Sequence, residues 1–379
     1  MARAVASDPL KGKEPGYRVL DPEGLNGGPP PDQLGVEELT PVGRFFSRNH
    51  APIPHIDPER WRLAVRGLVR QELTLSLEEL RRTFRRHEVP ATLVCAGLRR
   101  AELVRHRPVP GELVWDLEPA GTAVWGGVAL RDVLLAAGVR DAAAHVGLTG
   151  LDEVERGGTT FGFGGSVPRE KALEPEVLLA YEMNGQPLPA LHGGPVRLVV
   201  PGYIGARSVK WMAEIELLAE PSANYFQVAA YRVLQEPDPA DPRDVRAGEA
   251  LGEVALNAVI LAPEQGSRLP AGDVTVRGWA MDGRSPVRRV EVSPDGCRTW
   301  IGADLEAAKG RWSWQRWTAR VTLPPGPAVL IARAWNEAGE GQPESIAEVW
   351  NAKGYANNAW HRVAVEIEAG AKSARLFPG

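Results

Sequence analysis

Three stretches of this 379-residue chain concentrate residue types able to do binding or redox chemistry. The first is Phe45-Phe46-Ser47-Arg48-Asn49-His50-Ala51-Pro52-Ile53-Pro54, an Asn-His pair beside prolines that by itself reads as a loop. In the second, Thr92-Leu93-Val94-Cys95-Ala96-Gly97-Leu98-Arg99-Arg100, an apolar run delivers one cysteine to a turn, with two arginines directly after it. A lone cysteine after a strand is commonly a small buried hydrophobe. Two cations beside it would favour the thiolate, the state that binds soft metals. The third runs from His192-Gly193-Gly194-Pro195-Val196-Arg197 through Gly202 to Arg207-Ser208-Val209-Lys210-Trp211. Gly-rich backbone around Arg and Lys offers N–H groups and charge suited to a phosphate. Gly-terminated strands with surface basic residues would look the same, and neither a P-loop nor a dinucleotide fingerprint is matched.

These stretches need elements to hold them. Residues 1–40, rich in Pro, Gly and charge, read as an irregular arm, and residues 41–235 as a mixed α/β domain of short alternating elements. Within that domain Leu75–Leu80 reads as a helix start, with Ser76 as N-cap and Glu79 completing a capping box. Val128–Gly138 reads as a helix closed by a C-terminal glycine. Val196–Val200 reads as a buried strand stopped by Pro201. Gln235–Pro242, with three prolines among acids, predicts a stiff linker within 236–250. From 251 to 379 the pattern changes to period two, as in Val274–Ala280 and Val287–Ser293, with turns at Ser293-Pro294-Asp295-Gly296 and Pro324-Pro325-Gly326. Short strands between such turns predict an immunoglobulin-like β-sandwich. The fold class is therefore α+β in two domains, which also suits the length.

Composition narrows the function. A hydrophobic fraction of 44%, a charged fraction of 24% and a net charge of −4 describe an ordinary globular protein. They point neither to nucleic acid nor to an anionic membrane. Cys95 and Cys297 are the only cysteines and lie far apart, so no disulfide framework is expected. No apolar stretch is long enough to span a bilayer. The N-terminal residues have neither a signal core nor a twin arginine, so the expectation is a cytoplasmic protein, or a periplasmic one if a leader has been removed.

Taken together, the motifs resemble the sulfite oxidase family. Cys95-Ala96-Gly97-Leu98-Arg99-Arg100 is similar to that family's molybdenum-ligating signature, and Phe46-Ser47-Arg48-Asn49-His50 to its other cofactor-binding segment. Leu178–Pro189, His192-Gly193, Pro195–Arg197 and Gly205–Trp211 continue the likeness. In the second half, Asp295-Gly296, Thr299-Trp300, Trp350-Asn351 and Asn358–Val363 resemble its dimerisation domain. The likeness runs from about Thr40 to Val363.

The resemblance implies molybdenum held by one molybdopterin and by the thiolate of Cys95. It implies that Phe46, Ser47, Arg48, Asn49, His50, Asp152, His192, Arg197, Ser208, Val209 and Lys210 contact the cofactor. It places Arg48, Arg100, Trp115, Tyr231 and Lys353 at the substrate. Sulfite would be oxidised to sulfate, and guanidinium forks suit such small oxyanions. A homodimer is implied, with electrons passing to an external acceptor, a cytochrome or oxygen, because the sequence has no haem-attachment motif and no room for a fused haem domain. Three positions depart from the family: Leu98 where Asn is usual, Lys353 where Arg is usual, and Cys297 where Gly is frequent. The other readings are nitrate reductase-like chemistry, another small sulfur compound, or a scaffold that has lost its cofactor. The family's nitrate reductases usually carry an amide at the position of Tyr231, so the phenol favours sulfite.

Overall fold

The computed structural model describes residues 10–236, 241 and 244–369. Two five-stranded sheets build the first half. One has the strand order Gly164–Pro168, His145–Gly150, Met212–Leu218, Arg62–Gly67, Leu73–Ser76. Its only parallel pairing joins Met212–Leu218 to Arg62–Gly67. The other is antiparallel and runs Gln186–Pro187, Leu178–Met183, Ala120–Ala129, Arg86–Val94, with Arg197–Val199 paired to Leu178–Met183. Short helices close the strand connections. The capping box at Ser76 and Glu79 is present and opens Leu77–Thr83. The second expected helix is shorter than the pattern suggested. Val128 and Ala129 finish a long strand, and the helix covers Leu130–Ala137 before Gly138 takes a φ of 71°. Periodicity alone does not divide a fully buried strand from the helix that continues it.

The second half is a sandwich. A sheet of Asn257–Ala262, Gly272–Met281, Gln315–Leu323 and Asp304–Leu305 faces one of Arg268–Pro270, His361–Glu368, Gly326–Asn336, Val287–Ser293 and Ile301–Gly302. His361–Glu368 shows why these residues form a strand here: Val363, Val365 and Ile367 point into the core while Arg362, Glu366 and Glu368 face water. Each such buried Val or Ile stabilises the sheet by about 1.5–3 kcal/mol relative to exposure. Of the expected linker 236–250, residues 237–240, 242 and 243 lie outside the described residues; in the remainder Val245 is buried and Glu249–Ala250 pairs antiparallel with Arg232–Val233, so that part is held against the fold. Part of the expected arm is ordered: Arg18–Asp21 pairs antiparallel with Asn26–Gly28.

The two halves share one apolar core. Leu63, Val65, Leu148 and Ile215 of the first half belong to the same buried cluster as Val259, Trp279, Met281 and Trp314 of the second. Backbone bonds cross the same boundary. Thr92 N–H donates to the Trp312 carbonyl at 2.9 Å, and Trp314 N–H to Thr92 Oγ1 at 2.8 Å. Gly202 is required at this seam, because a Cβ there would lie 2.5 Å from the Trp312 ring.

Candidate active site

The strand Arg86–Val94 ends at Cys95, whose N–H donates to the Pro119 carbonyl at 2.9 Å. Cys95 is 8% exposed, and its sulfur accepts from Gly97 N–H at 3.4 Å. It opens onto a cleft of about 670 Å³. Phe46, Ser47, Arg48, Asn49, His50, Asp152, His192, Arg197, Ser208, Lys210 and Tyr231 share the wall with it. Residues from the first loop, the cysteine turn and the glycine-rich stretch thus meet in one cavity, joined there by Tyr231, which lies 181 positions from the His50 it touches. Phe45, Leu93, Phe163, Leu191 and Trp211 give the same cavity its apolar surface.

Electrostatics give this cleft its character. Burial pushes Lys210 well below the usual lysine range, and the Arg197 charge adds to the effect. Burial lowers Arg197 to about 9. It also holds His192 well below the usual histidine range, helped by Lys13 and Lys210. Asp152, itself raised by burial, is the carboxylate that faces Lys210. Arg197 donates only to carbonyls, those of Leu198, His192 and Ser208. Lys210 donates to Asn49 Oδ1 and the Leu191 carbonyl. Buried cations that depress one another are costly unless an anion pairs with them. The site therefore fits a ligand carrying a phosphate. Cys95 fits a soft metal. Among the described residues no cluster of three or more His, Cys, Asp or Glu side chains could hold a metal alone, so a metal at Cys95 needs further donors from outside such a cluster, which a cofactor bound in the cleft could supply.

His50 stacks on Phe163 at 4.6 Å between ring centroids, and its Nε2 lies 2.9 Å from Tyr231 Oη. Burial, then the charges of Arg48 and Lys210, hold His50 well below the usual range, so it is neutral. Burial pushes the Tyr231 phenol up. Tyr231 has a φ of 52° and stacks on Tyr355 at 5.3 Å. A non-glycine residue in this region is strained, a feature concentrated at functional sites.

Four of the expected residues stand behind the wall and not on it. Val209 is buried core. Trp115 is fully buried, and its indole N–H has no acceptor among the described residues. The Arg100 guanidinium lies over Gly97, where a Cβ would meet it at 2.8 Å, and over the Tyr355 ring at 5.1 Å. It donates to the carbonyls of Lys353, Gly354 and Leu113. Lys353 is paired with Glu112 at 3.2 Å.

The two arginines after Cys95 have different tasks. Both were expected to favour a thiolate, but Arg99 turns away from the sulfur. It takes φ 61° and is fully buried. It forks onto Glu102 at 2.7 and 2.8 Å and reaches Asn257 Oδ1 and the Ala359 carbonyl in the sandwich. Leu98 also points away, into the shared core, so the missing amide at this position leaves an apolar packing contact. Cys297 sits in a turn at φ 71°, where its N–H donates to Ser293 Oγ. Positive φ explains why a glycine would suit that position.

Sequence patterns missed the arm. Lys13 Nζ donates to the carbonyls of Phe45 at 2.6 Å and Val42 at 3.0 Å, and lies 3.1 Å from His192 Nε2. Tyr17 Oη bonds Ser47 Oγ at 2.7 Å, and Asn26 is bonded to the backbone of Asn49. Apart from the one to His192, these contacts land on the Phe46–His50 loop or the residues just before it. Glu112 and Tyr355 were also missed. Polar residues in Pro- and Gly-rich loops carry no periodic signal that would have singled them out.

A mixed α/β domain with this cleft, fused to a sandwich, is the architecture of a molybdopterin-binding oxidoreductase. Residues 50–226 match the family model for the oxidoreductase molybdopterin binding domain, and residues 249–368 match that for the Mo-co oxidoreductase dimerisation domain. The chain belongs to the sulfite oxidase family. It is 42% identical over 371 residues to sulfite oxidase of Gallus gallus, covering 94% of this chain and 80% of that one. Sulfite oxidase of Arabidopsis thaliana is 34% identical, with 94% and 95% covered. An inducible NADH nitrate reductase of Glycine max is 36% identical, but only 39% of its length is covered. The sulfane dehydrogenase SoxCD of Paracoccus pantotrophus has the same fold, with a TM-score of 0.78 at 24% identity over 96% of this chain and 93% of that one. Among the described residues no helix is long and apolar enough to cross a membrane.

Proposed function

We propose that the chain oxidises sulfite to sulfate: sulfite gains one oxygen atom from water, and two protons and two electrons are released to an external acceptor, a cytochrome or oxygen. The observation that carries this reading is the cleft itself, where Cys95 meets Arg48 and Tyr231 beside a cluster of buried cations. Bound there, the molybdenum cofactor would supply oxygen-atom transfer and two-electron redox chemistry.

The protein's part is positional and electrostatic. Cys95 would ligate the metal. Arg197, Lys210 and His192, joined by Lys13, would hold the cofactor's phosphate, and Phe46 to His50, Asp152 and Ser208 would line its pterin, with Val209 packed behind. Arg48 and Tyr231 would bind the substrate oxyanion from the wall, with Arg100, Lys353 and Trp115 supporting from behind. Charge-assisted hydrogen bonds from guanidinium to such an anion are the strong kind, and they stabilise charge as it moves from sulfur to oxygen. The neutral His50 holds the Tyr231 hydroxyl in place. The second domain would pair two copies as a homodimer.

Purified protein of known molybdenum content, given sulfite and ferricyanide, tests the reading. Turnover in proportion to molybdenum is expected. A fully loaded sample that leaves ferricyanide unreduced would overturn it and move attention to nitrate.

A further inference from the structure

The charges on the substrate side of the cleft are unevenly paired. Arg48, on the wall, has no carboxylate within ion-pair distance among the described residues. Arg100 and Lys353 share one carboxylate, Glu112: Oε2 lies 3.8 Å from Arg100 Nη2 and Oε1 lies 3.2 Å from Lys353 Nζ. The side chains are 4%, 12% and 17% exposed for Arg100, Lys353 and Glu112, so the pairs feel less solvent screening than surface ones. The Glu112 charge reaches the cleft. After burial it is the largest cause raising the Tyr355 phenol, and it contributes to raising Tyr231.

We propose that Glu112 is a specificity-determining residue, an internal carboxylate that competes with the substrate and product oxyanions for Arg100 and Lys353. The proposal rests on the sulfite-oxidising reading above. Three cations less one carboxylate leave two positive charges, which match a dianion. Without Glu112 a third uncompensated cation would hold sulfate, the product that must leave. As a competitor attached to the chain, Glu112 acts at a fixed high effective concentration, and its bond to Lys353 can re-form as the anion departs. Gly111, which precedes it, takes φ 78°, and a Cβ built there would meet nothing within 4 Å.

The test is Glu112→Gln in molybdenum-loaded protein. It is read by calorimetric titration with sulfate, which needs no turnover, and by the KM for sulfite. Removing one charge beside a buried cation pair is expected to tighten sulfate binding about three- to ten-fold. KM for sulfite should fall with it, and by more than kcat changes. Glu112→Asp keeps the charge and should hold sulfate within about two-fold of the parent. Adding Lys353→Met to Glu112→Gln should cancel most of the gain, since coupled neighbours are non-additive. Unchanged or weaker sulfate binding in a loaded Gln variant would overturn the inference. If the Gln variant does not load, Glu112→Ala is titrated with the same criterion. Failure of the parent protein to oxidise sulfite would instead overturn the functional reading, whatever the sulfate titrations give.

Discussion

Tyr231 Oη and His50 Nε2 lie 2.9 Å apart, joining the end of the first domain to the loop that opens it. Both groups are neutral, since burial raises one and lowers the other. The pair is therefore a hydrogen bond between uncharged partners in an otherwise cationic cleft, and it fixes the phenol beside Arg48.

Tyr231→Phe keeps the ring stack on Tyr355 and removes only the hydroxyl. A hydrogen bond to a charged partner contributes about 1.5–3 kcal/mol, so KM for sulfite should rise at least ten-fold. Steady-state kinetics at known molybdenum content checks this, and an unchanged KM would place the phenol outside the substrate contacts.

Lys13→Met should lower cofactor retention, read as molybdenum and released pterin per chain, to about half or less; a loss of even 0.5 kcal/mol of a phosphate contact gives this. The effect has a pH signature. Burial lowers Lys13 to about 7 in the cofactor-free protein, and a bound phosphate raises it again. The charged form then favours binding fully below pH 7, and that contribution fades as pH rises through the bound-state value. Retention by the parent protein should weaken between pH 7 and 9, and in Lys13→Met this slope should be absent.

Gly97→Ala places a methyl 2.8 Å from the Arg100 guanidinium. The backbone of Cys95 is untouched, yet Arg100 must shift. Stability should change by about 1–3 kcal/mol through overpacking, and kcat/KM for sulfite should fall by more than the stability loss accounts for. Thermal unfolding and kinetics on the same sample separate the two.

Acid should destabilise the protein through buried imidazoles. His50 and His192 are held well below their usual range, and His361 is lowered to about 3, by burial and then Arg99. Groups of depressed pKa contribute stability above their unfolded value, near 6.5, and lose it as pH falls. Each imidazole adds a slope of about 1.4 kcal/mol per pH unit below that point. Urea unfolding from pH 7.5 to 5 should show the midpoint falling steeply below about pH 6. His361→Gln should flatten the fall by one imidazole's share.

The sequence was most legible where chemistry and periodicity coincide. Cys95, the Phe46–His50 loop and the stretch ending at Lys210 are runs of consecutive residues, and they converge on one cleft. The sandwich strand His361–Glu368 follows period-two alternation closely, whereas at Val287–Ser293, where the sequence also alternates, a bulge between Val287 and Arg289 puts two exposed residues side by side. What was hidden is what depends on tertiary approach. Nothing in Leu10–Gly16 marks Lys13 as a neighbour of His192. Nothing in Arg99-Arg100 tells which guanidinium turns outward, because an αL residue at position 99 reverses the direction expected from the turn. Glu112 reads as a solvated loop acid until its distances to two cations are known.

Arg99 and Arg100 stand side by side, and both end on the sandwich: one on Asn257 and Ala359, the other on the carbonyls of Lys353 and Gly354. The turn that follows Cys95 is thus clamped by the sandwich. Over evolutionary time, drift in the Trp350–Ala359 loop is then selected through turnover as well as through assembly. A chimera that keeps residues 41–235 and borrows a relative's sandwich would inherit part of the donor's anion preference.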